Sequence, residues 1–200
     1  MDRLLEELEA AVEASLHIVS IMSALTIPDI CGALEHSDSR ANRSRYMAWY
    51  REWMEDKYTW HKNHPTVRDV IAGRISMAII PGVRRGDSIV TFQAEECYRF
   101  RCALLHQGKA LHQYSKYSRY VYVKSSPTHS SVVFHNTIVV DNGKYTLLLD
   151  IPRFCSDMVS SCRAWLNAKK KNRVVQENLR EMIQERNNRP TPVGPCDVIA

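Results

Sequence analysis

The sequence predicts a mainly α-helical bundle with a small β-hairpin insertion before its last long helix. Three observations carry this. Apolar residues recur at helical spacing near 2–25, 46–53, 93–113 and 153–186. Between about 119 and 149 the pattern changes to β-branched and aromatic residues. Within that stretch Asn142-Gly143 separates two apolar runs, a strong short-range hairpin signal. A chain of 200 residues suffices for one domain with a good core. We place that domain at 1–186 and a flexible tail, rich in proline and without period, at 187–200.

Each element has its own reason. Over 2–25, Leu4, Leu5, Leu8, Val12, Leu16 and Val19 fall on one side, with Glu6, Glu7, Glu9 and Glu13 mostly on the other. Pro28 is expected to end this helix, because it lacks an amide hydrogen and disfavours helical geometry at Ile27. It also suits the first turn of a new short helix, where Asp29 would favour the positive end of the dipole. Tyr46, Trp49, Tyr50 and Trp53 form a stripe at i, i+3, i+4, i+7. Such rings stack nucleic-acid bases in some proteins, but the commoner role of a helical aromatic stripe is core packing, which we expect here. Residues 65–80 are compatible with a helix that gives way to a buried strand, and "PGVRRGDS" reads as a loop in which Arg84 and Arg85 are solvated. Pro152 ends the β-ribbon. Phe154, Met158, Cys162, Trp165 and Leu166 then line one side of a helix over 153–186, followed by a solvated basic run at Lys169, Lys170, Lys171 and Arg173.

Composition narrows the function classes. A net charge of +5 and a pI near 8.9 mildly favour an anionic partner, without the charge density of a nucleic-acid coat. No apolar run reads as the roughly 18–20 residues that span a bilayer. "MDRLLEELEAAVEA" lacks the basic start and small-residue cleavage site of a signal peptide, so a soluble, cytoplasmic protein is expected. The six cysteines include no C-x-x-C pair and read as free, mostly buried thiols. His61-x2-His64 and Cys97-x4-Cys102 are poorly spaced for zinc, and no metal or cofactor is expected.

The chemistry-bearing stretch is "AEECYRFRCALLHQGKALHQ", residues 94–113. With Arg101 at zero on a helical wheel, Phe100, Ala103, Leu104 and Leu111 gather at about 200–300° and form the buried face. Arg101, Cys102 and His106 share an arc of about 140° on the other side, with Leu105 at about 40° between them. Tyr98 and Lys109 flank it. A cationic polar face with an apolar residue at its centre suits a partner surface, a second copy of the chain included. Gly108 lets the backbone change course after the histidine. The spacing alone is weak in a chain with eight histidines. Its structural alternative is an ion pair of Arg101 with Glu95 or Glu96 and a satisfied histidine at the helix end.

The segment resembles the HEPN superfamily, whose shared pattern is an arginine, a polar residue, three variable residues and a histidine. Here these are Arg101, Cys102, Ala103-Leu104-Leu105 and His106. "ALTIPDICGALE", "RYMAWYREWM", "FHNTIVV" and "FCSDMVSSCRAWL" extend the resemblance, in that order, over roughly residues 20–166 to small bacterial proteins of this type. The resemblance implies a helical bundle that dimerises and joins two Arg/His pairs. It also implies metal-independent endoribonuclease activity in toxin–antitoxin, phage-defence or RNA-processing roles, with RNA as substrate and an antitoxin or nucleotidyltransferase as partner. His106 would act as general acid and base, and Arg101 would bind the scissile phosphate. The residue after the arginine is commonly Asn, Asp or His in that superfamily, whereas Cys102 offers only a weak hydrogen-bonding thiol. This departure favours the other implied outcome, a catalytically silent module that binds nucleotide, RNA or protein. A transcription regulator is a poorer fit, since no helix-turn-helix signature is present.

Overall fold

A computed structural model describes residues 1–65, 83–123 and 135–182, and four two-residue strands beyond them. The described part is mainly helical with small sheets. Its α-helices are α1 (Asp2–Glu13), α2 (His17–Leu34), α3 (Arg43–Trp53), α4 (Ala94–Gln107), α5 (Ile151–Lys169) and α6 (Arg173–Arg180). Residues 66–82 and 124–134 and Cys196 lie outside the described residues, so the helix-to-strand reading at 65–80 and the thiol reading of the sixth cysteine are not addressed by the fold.

The N-terminal helix breaks earlier than its period suggests. α1 buries Leu5 and Leu8 and stops at Ala14, after which Ser15 turns left-handed at φ 59°. The helical spacing of apolar residues continues across this turn, which is why the pattern does not show it. Pro28, in contrast, does not break α2. The burial of Ile21, Ala24, Leu25, Ile27 and Cys31 on both sides of the proline holds the helix together. That burial offsets the lost backbone bond, typically a penalty of about 3 kcal/mol. Asp29 therefore sits inside a long helix, not at the start of a short one. α2 is also long and apolar enough, by length and composition alone, to cross a membrane, contrary to the reading that no such run exists. It packs against α1, α3, α4 and α5, and half of it is buried, as befits a core helix.

α3 is capped by the Asn42 side chain, which accepts from the Arg45 backbone N at 3.0 Å. Its aromatic stripe faces inward: Tyr46, Trp49 and Tyr50 are buried, as expected for core packing. Gly32 of α2 permits the close crossing, since a Cβ there would stand 2.9 Å from the Arg45 carbonyl oxygen. A 3₁₀ turn at Glu55–Tyr58 leads into β1 (Thr59–Trp60). The stretch read as a loop is a hairpin instead: β2 (Val83–Arg85) and β3 (Ser88–Val90) turn at Gly86, with φ 57°, and β3 pairs with β1. The glycine marks the turn but does not reveal the strands around it.

α4 ends sooner than its period suggests. Gly108 adopts φ 62°, and the Gly108 and Lys109 amides return to the carbonyls of Leu104 and Ala103. This left-handed cap places Lys109 and Leu111 off the helix. The β-ribbon is larger than a hairpin. β5 (Thr137–Asp141) and β6 (Lys144–Asp150) turn at Asn142-Gly143, both at positive φ, as expected for this dipeptide. β4 (Arg119–Val123) adds to the other edge of β6 in parallel. A parallel pairing needs a crossover, and no local residue pattern announces it. Asp150 caps α5 by accepting from the Arg153 N at 2.8 Å, and Pro152 falls in the first turn. The expected single helix over 153–186 is split by Lys170–Asn172. The Asn172 side chain caps α6 there by accepting from the Val175 N. Lys169 from the basic run is paired with Glu35 at 3.2 Å.

Candidate functional site

The site is built on α4. Its inner face holds Phe100 and Ala103 fully buried, while Leu104 is half-buried against the core. This rotation leaves Arg101, Cys102 and Leu105 half-exposed and His106 exposed. Leu105, unlike Leu104, does not join the core cluster.

Arg101 meets a residue that sequence reasoning missed. Its Nε donates to Asp29 Oδ2 at 2.8 Å, and its Nη2 stands 2.7 Å from the same oxygen in an ion pair, from α4 to α2. Its Nη1 lies 2.9 Å from His106 Nε2. An arginine nitrogen only donates, so Nε2 accepts here and the ring proton resides on Nδ1. The expected alternatives for Arg101 are already engaged. Glu95 pairs with Arg51, and buried Glu96 receives Arg99, Ser115 and Tyr120 at 2.6, 2.7 and 2.9 Å.

Burial is the first influence on both members of the Arg101–Asp29 pair. It pushes the Asp29 carboxyl above its ordinary value, against the pull of Arg101. It also works against the charge on Arg101, but Asp29 and Cys102 more than offset it and hold the guanidinium above its ordinary value. The two partners thus shift in ways that favour different protonation states of the pair. Two guanidinium nitrogens within 2.7–2.8 Å of one oxygen are the geometry of an ion pair, so we read both groups as charged. Cys102 lies within hydrogen-bonding reach of Arg101 and of Tyr98. The Tyr98 hydroxyl is pushed up, first by burial and then by Cys102. The Arg43 guanidinium stands 5.8 Å over the Tyr98 ring.

The structure thus brings together Arg101, Cys102 and His106 and adds Asp29, which is 72 positions from Arg101. One sequence signal points to Asp29: it is the one Asp, Glu, Lys or Arg in the mostly apolar His17–Leu34 stretch. Chemically, the arrangement offers an exposed imidazole and a braced guanidinium with N–H bonds left over, a pair able to bind an anion and move a proton.

A second polar cluster was also missed, because its members are far apart in sequence. His135 Nε2 faces Asp157 Oδ2 at 3.5 Å, and its Nδ1 accepts from the Asp150 N at 3.2 Å. The Tyr58 hydroxyl donates to Asp157 at 3.5 Å, and Lys57 and Arg153 stand 3.8 and 3.6 Å from the same carboxylate. His135 therefore has an acidic partner, one that lies far from it in the sequence. The five described cysteines are free, and all but Cys102 are buried. Among the described residues no group of three or more His, Cys, Asp or Glu is arranged to hold a metal ion. No family model, curated protein or solved structure matches the chain.

Proposed function

We propose that the chain is a HEPN-like, metal-independent endoribonuclease that serves as a toxin or phage-defence effector. The carrying observation is the 2.9 Å contact between Arg101 Nη1 and His106 Nε2, on a helix face open to solvent. RNA carries its own nucleophile, the 2′-hydroxyl. Neutral His106 takes that proton at Nε2 once Arg101 Nη1 leaves the ring for a phosphate oxygen, and the protonated ring then returns one to the leaving 5′-oxygen. Arg101, braced by Asp29, stabilises the negative charge that builds on the phosphate oxygens. Half-exposed Leu105 and the polar residues around it form the surface through which two copies join their Arg/His pairs. Light scattering at micromolar concentration checks this; a chain that stays monomeric with RNA present removes the composite site.

The deciding experiment measures RNA cleavage in EDTA by wild type, Arg101→Ala and His106→Ala, with thermal unfolding of each. Loss of a positioned acid or base costs about 10²–10⁴ in rate. Cleavage to 2′,3′-cyclic phosphate ends by wild type alone, with all three folded, is the expected result. Equal cleavage by all three ends the catalytic reading.

A second reading has its own support. Asp29 already engages two of the three guanidinium nitrogens, and Cys102 stands where a stronger hydrogen-bonding residue is usual. Both fit a catalytically silent module that binds nucleotide, RNA or protein. Binding of RNA without cleavage, in the presence of the correct partner, identifies that case.

A further inference from the structure

A groove of about 360 Å³ adjoins the Arg101–Asp29 pair. α2, the loop after it and the chain just past α6 form its walls. Ile30, Ala33 and Met182 make it largely apolar, and Ser39, Asp29, Glu181 and Asn178, whose amide N–H groups are spent on the Leu34 and His36 carbonyls, contribute its polar groups. Its volume falls in the range of small-ligand sites.

Asp29 belongs to both places. Arg101 Nε and Nη2 both approach Oδ2, and among the described residues no hydrogen bond reaches Oδ1. The Glu181 carboxylate is exposed and has no ion-pair partner among the described residues. Carboxylate oxygens only accept, so they select a ligand edge that carries N–H donors and repel a phosphate. The anion site is Arg101, which Asp29 joins to the groove. A ligand that fits the whole arrangement carries a phosphate beside a flat, mostly apolar ring with a donor edge. Guanine presents N1–H and the N2 amino group side by side, which two acceptor oxygens can satisfy together. Adenine and cytosine present one amino group beside an acceptor nitrogen, and uracil a single N–H between two carbonyls.

We propose that this groove binds the guanine base of an RNA strand whose 3′-phosphate rests on Arg101. The inference rests on the phosphate-binding role of Arg101 proposed above and not on catalysis. It makes Glu181 and the groove wall the base-selecting elements.

Calorimetric titration of the full chain with the four nucleoside 3′-monophosphates and inorganic phosphate tests it. Wild type is compared with Ala33→Phe, which fills the groove from a half-exposed position, and with Glu181→Gln. Thermal unfolding reports whether each variant is folded, and Glu181→Gln, at an exposed position, serves if the larger ring is not accommodated. Guanosine 3′-monophosphate is expected to bind at least ~10-fold more tightly than the adenosine compound, as a charged hydrogen bond of about 1.5–3 kcal/mol implies. Either substitution should erase that preference and leave inorganic phosphate binding unchanged. Equal binding of all four nucleotides, guanosine binding insensitive to both substitutions, or no nucleotide binding overturns the groove assignment. RNA cleavage measured alongside separates the two claims. Guanosine-selective binding without cleavage removes only the nuclease reading, and cleavage without guanosine binding removes only the groove.

Discussion

His106 and His135 each stand beside a polar partner, and the fold treats them in opposite ways. His106 lies at the end of a helix, exposed, with Arg101 as its one hydrogen-bonding side chain among the described residues, and Arg101 retains N–H bonds that neither Asp29 nor His106 uses. His135 is 14% exposed, and its ring packs edge-on against Tyr58 at 5.4 Å. One nitrogen accepts from a backbone amide. The other carries the ring proton and faces Asp157 at 3.5 Å, too long for a well-formed hydrogen bond. Asp157 in turn gathers Tyr58, Lys57 and Arg153 around it. Similar residue types therefore give a clasp in one place and a candidate site in the other. What separates them is access together with unused bonding capacity, not the mere presence of a histidine near an acid.

The sharpest way to break this comparison is to remove each imidazole in turn. His106→Ala should abolish most cleavage, as argued above, yet cost only about 0.5 kcal/mol of stability, as for a surface change. His135→Ala should do the reverse. It leaves a gap beside Tyr58 and strips Asp157 of a neighbour, for a loss of about 2 kcal/mol. Cleavage by the folded fraction should be unchanged. Urea unfolding monitored by tryptophan fluorescence, paired with the RNA assay, separates the two outcomes. A large stability loss for His106→Ala, or lost cleavage in folded His135→Ala, would reverse the roles assigned to the two clusters.

A smaller effect is expected at Asp29, whose replacement tests whether the brace matters. Asp29→Asn keeps the side-chain shape but removes the charge that holds Arg101. Cleavage should fall by about 10-fold, one lost charge-assisted contact. The pH dependence has a definite sign. Burial raises the Asp29 carboxyl in the folded chain, so its contribution to stability is fully present below the ordinary value near 3.8. That contribution is lost as the pH rises through the folded value. Wild type should therefore lose stability relative to Asp29→Asn as the pH rises above about 3.8. A difference that is flat, or of the opposite sign, would show that Arg101 and not burial controls the carboxylate.

Much of the bundle was legible because periodicity reports burial. The aromatic stripe of α3 and the Phe100–Ala103 face of α4 both point inward, and Asn142-Gly143 turns as that dipeptide demands. The breaks were harder. Ser15 turns left-handed without a glycine, and Pro28 passes through a helix that tertiary burial holds intact. Both are tertiary outcomes that override local preference. The parallel β4–β6 pairing and the Asp29–Arg101 and His135–Asp157 contacts join distant segments. One sequence contains the residues of such pairs but not their distance. Arg101, Cys102 and His106, by contrast, were visible together because one helix carries all three.

The smallest expected effect concerns two cysteines of the same helix, and it tests how α4 is rotated. Cys97 faces inward, where burial pushes its thiol up to about 12. Cys102, five residues on, is half-exposed beside Tyr98 and Arg101. The reactive species is the thiolate, and it must meet the reagent. At pH 8, iodoacetamide should therefore modify Cys102 well before Cys97 in the native chain, and peptide mapping by mass spectrometry reads the order directly. Cys155, also pushed up to about 12 by burial, should lag with Cys97. Saturating RNA should slow alkylation of Cys102 if the strand lies over Arg101, because the thiol is then covered from the same side. Modification of Cys97 ahead of Cys102 would mean that α4 presents the wrong face to solvent. The Arg101–His106 pair would then be buried, and neither the nuclease nor the silent-binding reading could use it.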